Sequence, residues 1–194
     1  MNAMGLGFDD DGLAAFADSA LGHGLPAEPA ALIASAGLLR HRPDQALPLL
    51  ERARALAPRH PVPLIALYRF HFYGHDLARA KAAGEDALAV ARTALGPTFG
   101  DRPPTDDEAR HDAAVRFYLF TLKGLAYLNL RLDELEEARL MLGELRRLDP
   151  GDRVGGALLA HVLQRHEAMA AGLIDPADGP GAYPAYGWGP EARP

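Results

Sequence analysis

One pattern of residues recurs at three places along the sequence. Three segments each begin with a polar turn, continue as an expected helix and place an alanine at the same point; they are residues 41–60, 75–94 and 133–152. The alanines are Ala46, Ala80 and Ala138, and the first two lie 34 residues apart. A fixed interval of this size is the signature of a structural repeat. The chain is therefore expected to consist of stacked units.

The residues that follow each alanine give the pattern a physical basis. At offsets of 4, 7 and 12, the first segment has Leu50, Ala53 and Pro58, and the third has Leu142, Leu145 and Pro150. The middle segment keeps Ala87 at offset 7 but has Gly84 at offset 4 and no proline at offset 12. Offsets of 4 and 7 keep these residues on one helical face, and a proline cannot continue the helix. Each unit is thus expected to be a helix pair with one face to bury.

The repeat ends ALAPRHP and RRLDPGD, and the junction LKGLAYLNLRLDELEEA, resemble those of the tetratricopeptide repeat family. The resemblance covers roughly residues 27–173. It implies an all-α fold, a short right-handed α-α superhelix of about three helix pairs plus a C-terminal capping helix at 153–173. Two positions depart from the family pattern, because Tyr68 stands where a small residue is usual and Gly37 where tyrosine is usual.

Composition supports an all-α chain and excludes several kinds of site. Alanine and leucine, which favour helices, dominate the sequence, and there is no cysteine for disulfides or thiolate chemistry. A net charge of −6 argues against a nucleic-acid partner. No apolar run approaches the ~20 residues needed to span a bilayer, and the N-terminus does not look like a secretory signal. The sequence therefore predicts a cytoplasmic protein without a membrane partner.

An insertion separates the second and third repeats. Ala80 and Ala138 lie 58 residues apart, which is 24 more than the repeat interval of 34. Residues 96–104 are rich in proline and glycine and predict a loop, and Thr105 with Glu108 fits a capping box. We therefore predict an inserted loop and helix extension at 95–118, giving one helix of ~25 residues that continues to about Leu130.

The two ends of the chain differ from the repeats. The N-terminal segment, 1–26, predicts a short helix at 13–21. The C-terminal segment, 174–194, is rich in proline and glycine and predicts a disordered tail. Within it lie three aromatic residues, Tyr183, Tyr186 and Trp188. They are interpreted either as a docking motif, for a partner or for the protein's own groove, or as side chains without a role.

The family resemblance also implies a groove that binds a protein segment. Its usual groove positions correspond here to Ile65, Arg69, Phe72, Tyr73, Lys123, Tyr127 and Arg131. The cations suit carboxylates of a ligand, and the aromatic residues suit desolvated anchors. For Tyr68 and Phe72, a place in the core is an equal alternative.

No nucleophile, phosphate-loop or paired-carboxylate motif occurs, so no catalysis and no cofactor are predicted. His71 and His75 are four residues apart and are weak candidates for a metal site, although packed or partly exposed histidines are the more common explanation. The sequence therefore predicts a non-catalytic protein-interaction module, an adaptor or chaperone-like protein. The alternatives are a homo-oligomeric structural protein and, from the resemblance of LIALYRFHFYGHDLARA to small bacterial nitrogen-fixation proteins, an accessory factor for a metalloenzyme system.

Overall fold

The computed structural model describes residues 24–173, and within this range the regular secondary structure is entirely helical. The helices are α1 (Ala27–Leu38), α2 (Pro43–Leu56), α3 (Pro61–Tyr73), α4 (Leu77–Leu95), α5 (Asp106–His111), α6 (Ala113–Arg131), α7 (Leu135–Leu148) and α8 (Ala157–Ala170). Over these residues the prediction of an all-α fold is confirmed. The predicted helix at 13–21 and the aromatic tail at 174–194 lie outside the described residues.

Neighbouring helices pack as three pairs, α1 with α2, α3 with α4 and α6 with α7. The pairs are joined by further contacts of α2 with α3 and of α4 with α6, and α8 packs on α7. Short turns connect most of these helices, and proline begins both α2 and α3, where its missing amide proton costs nothing. The hydrophobic core lies between these packed helices, and most of its largest buried side chains belong to α3 and α6.

The three alanines of the repeat occupy equivalent places. Ala46, Ala80 and Ala138 are each the fourth residue of α2, α4 and α7, and none is more than 1% exposed. The residues at offsets 4 and 7 are buried as well in all three helices. The sequence pattern therefore corresponds to one recurring buried stripe on the second helix of each pair.

The glycine that interrupts the stripe in the second repeat has a packing role. A Cβ atom at Gly84 would lie 2.8 Å from Leu125 Cδ2 and 3.3 Å from Tyr68 Cδ2. Both neighbours are almost fully buried, with Tyr68 only 2% exposed. The large Tyr68, which departs from the family pattern, is thus accommodated by the absence of a side chain at Gly84.

The insertion between the second and third repeats differs from the prediction. Residues 96–104 form a loop, and Thr105 caps the following turn in a capping box with Glu108, both as predicted. The single helix of ~25 residues is wrong, because the chain breaks at Asp112 between α5 and α6. The Asp112 side chain accepts hydrogen bonds from the amides of Ala114 and Val115 and so begins a new helix.

The C-terminal helix is shorter than the predicted 153–173, since α8 spans Ala157–Ala170. Residues 149–156 form the connection before it, and Asp152 accepts a hydrogen bond from the Ala157 amide at 2.9 Å. Among the described residues, no helix combines the length and apolar character that crossing a membrane would require.

Candidate functional site

Charge is distributed unevenly between the two helices of the second and third pairs. Helices α3 and α6 contain no aspartate or glutamate, although α2, α4 and α7 each contain at least two. The four lysine and arginine residues of α3 and α6 are Arg69, Arg116, Lys123 and Arg131. Because the whole chain has a net charge of −6, these two helices form a cationic region on an acidic protein.

The cations of α6 alternate with aromatic rings along one side of the helix. The residues Arg116, Phe120, Lys123, Tyr127 and Arg131 follow each other at intervals of three or four, and all are half-buried or exposed. The guanidinium of Arg116 and the ammonium of Lys123 both lie 5.5 Å from the centre of the Phe120 ring. Arg131 lies 5.7 Å from the Tyr127 ring centre and donates to the Tyr127 hydroxyl at 2.7 Å. Each cation is thus held against a ring face.

An aromatic contact joins this row of cations and rings on α6 to α3. The ring centres of Phe72 and Tyr127 are 6.0 Å apart, and Phe72 also stacks on Tyr68 at 5.8 Å and forms a T-shaped contact with Tyr73 at 5.5 Å. Burial raises the pKa of the Tyr68 hydroxyl, and the neighbouring Tyr127 and Tyr73 add to this rise. We call the surface formed by these side chains the open face; it consists of Phe72, Tyr73, Arg116, Phe120, Lys123, Tyr127 and Arg131.

A pocket of about 610 Å³ lies between α1, α2 and α3 and borders the open face at Tyr73. Its lining is mainly apolar and includes Ile33, Ala36 and Phe70. Arg40 and Arg69 also line it, and no carboxylate does. We call this cavity the α1–α3 pocket.

Three arginines on the second helices of the pairs form ion pairs with other helices. Arg52 pairs with Glu28 at 3.0 Å, Arg54 with Asp86, and Arg139 with Glu167 at 2.7 Å. Each of these ion pairs joins two different helices. The cations of α6, by contrast, contact rings and carbonyl or hydroxyl oxygens.

No protein-family model matches the chain, and no solved structure matches it. The chain is similar to a curated protein of Azotobacter chroococcum mcd 1, which is described as an uncharacterized 19.8 kDa protein in the nifW 5′ region. The two sequences are 39% identical over 134 residues, which covers 62% of this chain and 70% of the relative. The chain belongs to the family of this protein.

The predicted groove residues fall into three environments. Phe72, Tyr73, Tyr127 and Arg131 come together on the open face. Arg69 lies instead in the wall of the α1–α3 pocket. Ile65 is 1% exposed and belongs to the core, so its assignment to a partner-binding surface is wrong. The reason is its place along α3, because the first part of this helix is buried on more than one side, whereas Phe72, on the same helical face seven residues later, is half-buried.

Lys123 lies on the open face but has a structural contact of its own. Its ammonium donates to the carbonyl oxygen of Val154 at 2.6 Å and thereby fastens the connection between α7 and α8. Burial lowers the pKa of Lys123, and the charge of Asp152 opposes this effect. A substitution here would therefore disturb the fold as well as the surface.

Two members of the open face, Arg116 and Phe120, are absent from the sequence-based prediction. The groove positions that the tetratricopeptide resemblance implies identify only the second half of α6. The spacing of Arg116 and Phe120 from Lys123, by seven and three residues, continues the same helical face. That periodicity is the signal that would have identified them.

The two histidines considered for a metal site lie in different environments. His71 is 6% exposed within α3, whereas His75 is exposed and follows the helix in a left-handed backbone conformation with φ of 62°. The four-residue spacing therefore does not place them on one helical face. No group of three or more potential ligands occurs among the described residues.

The burial of His71 predicts a pH dependence of stability. Burial lowers the pKa of His71 from its usual 6.5, although Asp76 partly opposes this, so the folded state favours the neutral ring. The unfolded chain then binds the proton more readily, and stability should fall as the pH drops below about 6.5. Melting temperatures measured between about pH 7 and pH 5 should fall less steeply for His71→Phe than for the wild type. The exposed His161→Phe is the control, and an unchanged slope in His71→Phe would contradict the assignment.

Proposed function

We propose that this chain is a non-catalytic protein-interaction module, an adaptor or chaperone-like protein, that binds an acidic segment of another protein on its open face. The observation that carries the proposal is the row of cations and aromatic rings on α6, in a chain whose net charge is −6. Protein-binding surfaces are enriched in arginine and aromatic residues, and these supply most of the binding energy.

The arrangement suits an acidic partner for two reasons. The rings already orient the guanidinium groups of Arg116 and Arg131, so less side-chain freedom is lost when a carboxylate binds. The absence of carboxylates from α3 and α6 leaves the field of these cations uncancelled within their own helices. An acidic segment with an apolar or aromatic residue could place the carboxylates on the arginines and the apolar group beside Phe120 and Tyr127.

The proposal includes a tetratricopeptide-like superhelix. The equivalent positions of Ala46, Ala80 and Ala138 support it, as do the three helix pairs in sequence. In such an array the first helices of successive pairs line one surface, which here would be α1, α3 and α6. The contact of Phe72 with Tyr127 is consistent with this arrangement, because it joins α3 to α6.

Affinity capture from an extract of the native organism, with proteins identified by mass spectrometry, tests the proposal. The full chain should capture a protein that the double variant Arg116→Glu with Arg131→Glu does not retain. The control is Arg59→Glu with Arg146→Glu, which reverses two exposed charges outside the open face and should leave capture intact. Binding reproduced with the purified partner should weaken as salt is added, because carboxylate–arginine contacts are screened.

Two results would count against the proposal. One is equal capture by the wild type and by the variant with Arg116 and Arg131 reversed. The other is capture that requires self-association, shown by light scattering across a dilution series. That second result would favour the homo-oligomeric alternative.

A second candidate function follows from the relative. That protein is described by its place in the nifW 5′ region, which favours a role for this chain as an accessory protein of a bacterial nitrogen-fixation system. This role is compatible with protein binding, since an accessory protein acts through its partner. Deletion of the gene should then slow growth on dinitrogen and leave growth on ammonium unchanged. Equal growth of the deletion strain and its parent on dinitrogen would exclude this candidate.

A further inference from the structure

A second pocket, of about 290 Å³, lies between α7 and α8. Its apolar wall includes Leu142 and Leu145 of α7 and Ala160 of α8. Gly156 lets the start of α8 approach α7 closely, because a Cβ atom there would lie 2.6 Å from Leu145 Cδ2. We call this cavity the α7–α8 pocket; no residue of the open face lines it.

Asp149 gives this pocket a buried carboxylate with one unpaired oxygen. The residue lines the pocket and is 5% exposed, and its Oδ2 accepts a hydrogen bond from the Val154 amide at 2.9 Å. Within residues 24–173, its Oδ1 has no hydrogen-bond partner. Buried polar atoms nearly always have one, because a group that loses its water without a replacement destabilises the fold. A donor bound in the pocket would supply the missing hydrogen bond.

The charges around the pocket favour a donor that is positively charged. Asp152 is a second carboxylate in the lining, and its Oδ1 accepts from the Ala157 amide. Arg146 and His161 also line the pocket, but both are exposed, whereas Asp149 is buried. The two carboxylates therefore outnumber the one arginine. A cationic N–H group suits the buried carboxylate best, because hydrogen bonds between charged partners are the stronger ones.

An organic cation fits the pocket better than a metal ion does. Across the part of the chain that the structure describes, no group of three or more histidine, cysteine, aspartate or glutamate side chains could hold a metal. The apolar wall suits an alkyl stem instead. The volume lies at the lower end of the range for ligand pockets, which suits a single side chain or a small molecule.

We propose that the α7–α8 pocket binds an alkylammonium or alkylguanidinium group, the chemistry shared by lysine and arginine side chains and by small free amines. The cation donates to Asp149 Oδ1, and the alkyl stem packs against Leu142 and Ala160. The site is separate from the open face and takes a ligand of the opposite charge.

Titration of the full chain with n-butylammonium and with n-butylguanidinium tests the site. Each cation is added as its chloride in exchange for sodium chloride, so that the ionic strength stays constant, at about pH 7, where both groups are charged. The backbone amide signals of Val154, Ala157 and Ala160 should shift and reach saturation. The neutral 1-butanol, which has the same alkyl stem, should bind at least about tenfold more weakly because it lacks the charge.

Asp149→Asn should lower the affinity for both cations at least about tenfold, because it removes the charge and keeps an oxygen for the Val154 amide. The matched control is Asp112→Asn, in which the replaced carboxylate also accepts backbone amides but lies outside the pocket. It should bind as tightly as the wild type. Ala160→Leu should block binding while the Asp149 charge is retained, because the larger side chain fills the pocket. Far-ultraviolet circular dichroism verifies that each variant remains helical.

The proposal is overturned if neither cation gives saturable shifts, which is the result expected when only water occupies the pocket. Equal binding of 1-butanol and n-butylammonium would also overturn it, as would equal affinities of Asp149→Asn and the wild type, or an equal loss in Asp112→Asn. None of these results depends on capture by the open face.

An end-blocked Gly-Lys-Gly peptide distinguishes the two sources of the ligand group. Tighter binding of the peptide than of n-butylammonium would support the proposal with a protein side chain as the occupant. Equal or tighter binding of n-butylammonium would support it with a small free amine.

Discussion

Replacing Gly84 with leucine is expected to lower the free energy of unfolding by about 3 kcal/mol or more. The first added atom, Cβ, would lie 2.8 Å from Leu125 Cδ2 and 3.3 Å from Tyr68 Cδ2. Neither neighbour can move into solvent, because Leu125 is fully buried and Tyr68 is 2% exposed. Urea denaturation followed by far-ultraviolet circular dichroism measures the effect.

Gly143 provides a matched control on α7. It also lies within a helix, but a Cβ there meets no atom within 4 Å. Gly143→Leu should therefore raise the free energy of unfolding by up to about 1 kcal/mol, since leucine favours helix more than glycine does. Similar effects of the two substitutions would contradict the close packing at Gly84.

A double-mutant cycle identifies the contact responsible. Leu125→Ala alone should cost about 2–5 kcal/mol because it leaves a cavity in the core. Gly84→Ala alone should cost about 1–3 kcal/mol. The double variant should cost clearly less than the sum, because the new methyl group occupies space that the leucine leaves. Additive costs would show that the two residues do not compete for the same space.

The same region shows what periodicity can and cannot predict. The interval between Ala46 and Ala80 correctly identifies buried positions on α2 and α4, since the stripe depends only on residues within one helix. Gly84, by contrast, looks like an irregularity in the sequence. Its role depends on Tyr68 and Leu125, which belong to two other helices, and a pattern within one segment contains no information about their approach.

The break at Asp112 was missed for a related reason. No glycine or proline occurs between Thr105 and Val115, so the sequence favours one continuous helix. The Asp112 carboxylate competes for backbone amides and caps α6, as short polar side chains can do at a helix start. Its position alone does not distinguish a cap from an exposed residue in a helix interior.

The candidate site was predicted in part. Phe72, Tyr127 and Arg131, three of the groove positions that the tetratricopeptide resemblance implies, lie together. Ile65 was assigned to the same surface but belongs to the core. Lys123 has a carbonyl partner, Val154, that lies 31 residues further along the chain, and the sequence gives no sign of that contact. Local spacing therefore identified the face, and tertiary contacts decided the role of each side chain.

The largest effect on binding is expected for Phe120→Ala. Phe120 is half-buried between Arg116 and Lys123, each 5.5 Å from its ring centre, so its removal takes away an apolar anchor and the support of two cations. Anchors of this kind typically contribute about 2–3 kcal/mol, which corresponds to an affinity loss of about 30- to 150-fold. Isothermal titration with the partner identified by capture would measure this loss.

Phe99→Ala provides the comparison that separates binding from stability. Phe99 is also a half-buried phenylalanine, but it lies in the loop before α5 and packs on Tyr118 at 5.0 Å, away from the open face. Both substitutions should lower the melting temperature, because each removes a partly buried ring. Only Phe120→Ala should weaken binding, since only that ring lies among the cations that we assign to the partner's carboxylates. If Phe99→Ala weakens binding as much, the loss reflects lower stability, and Phe120 is not an anchor for the partner.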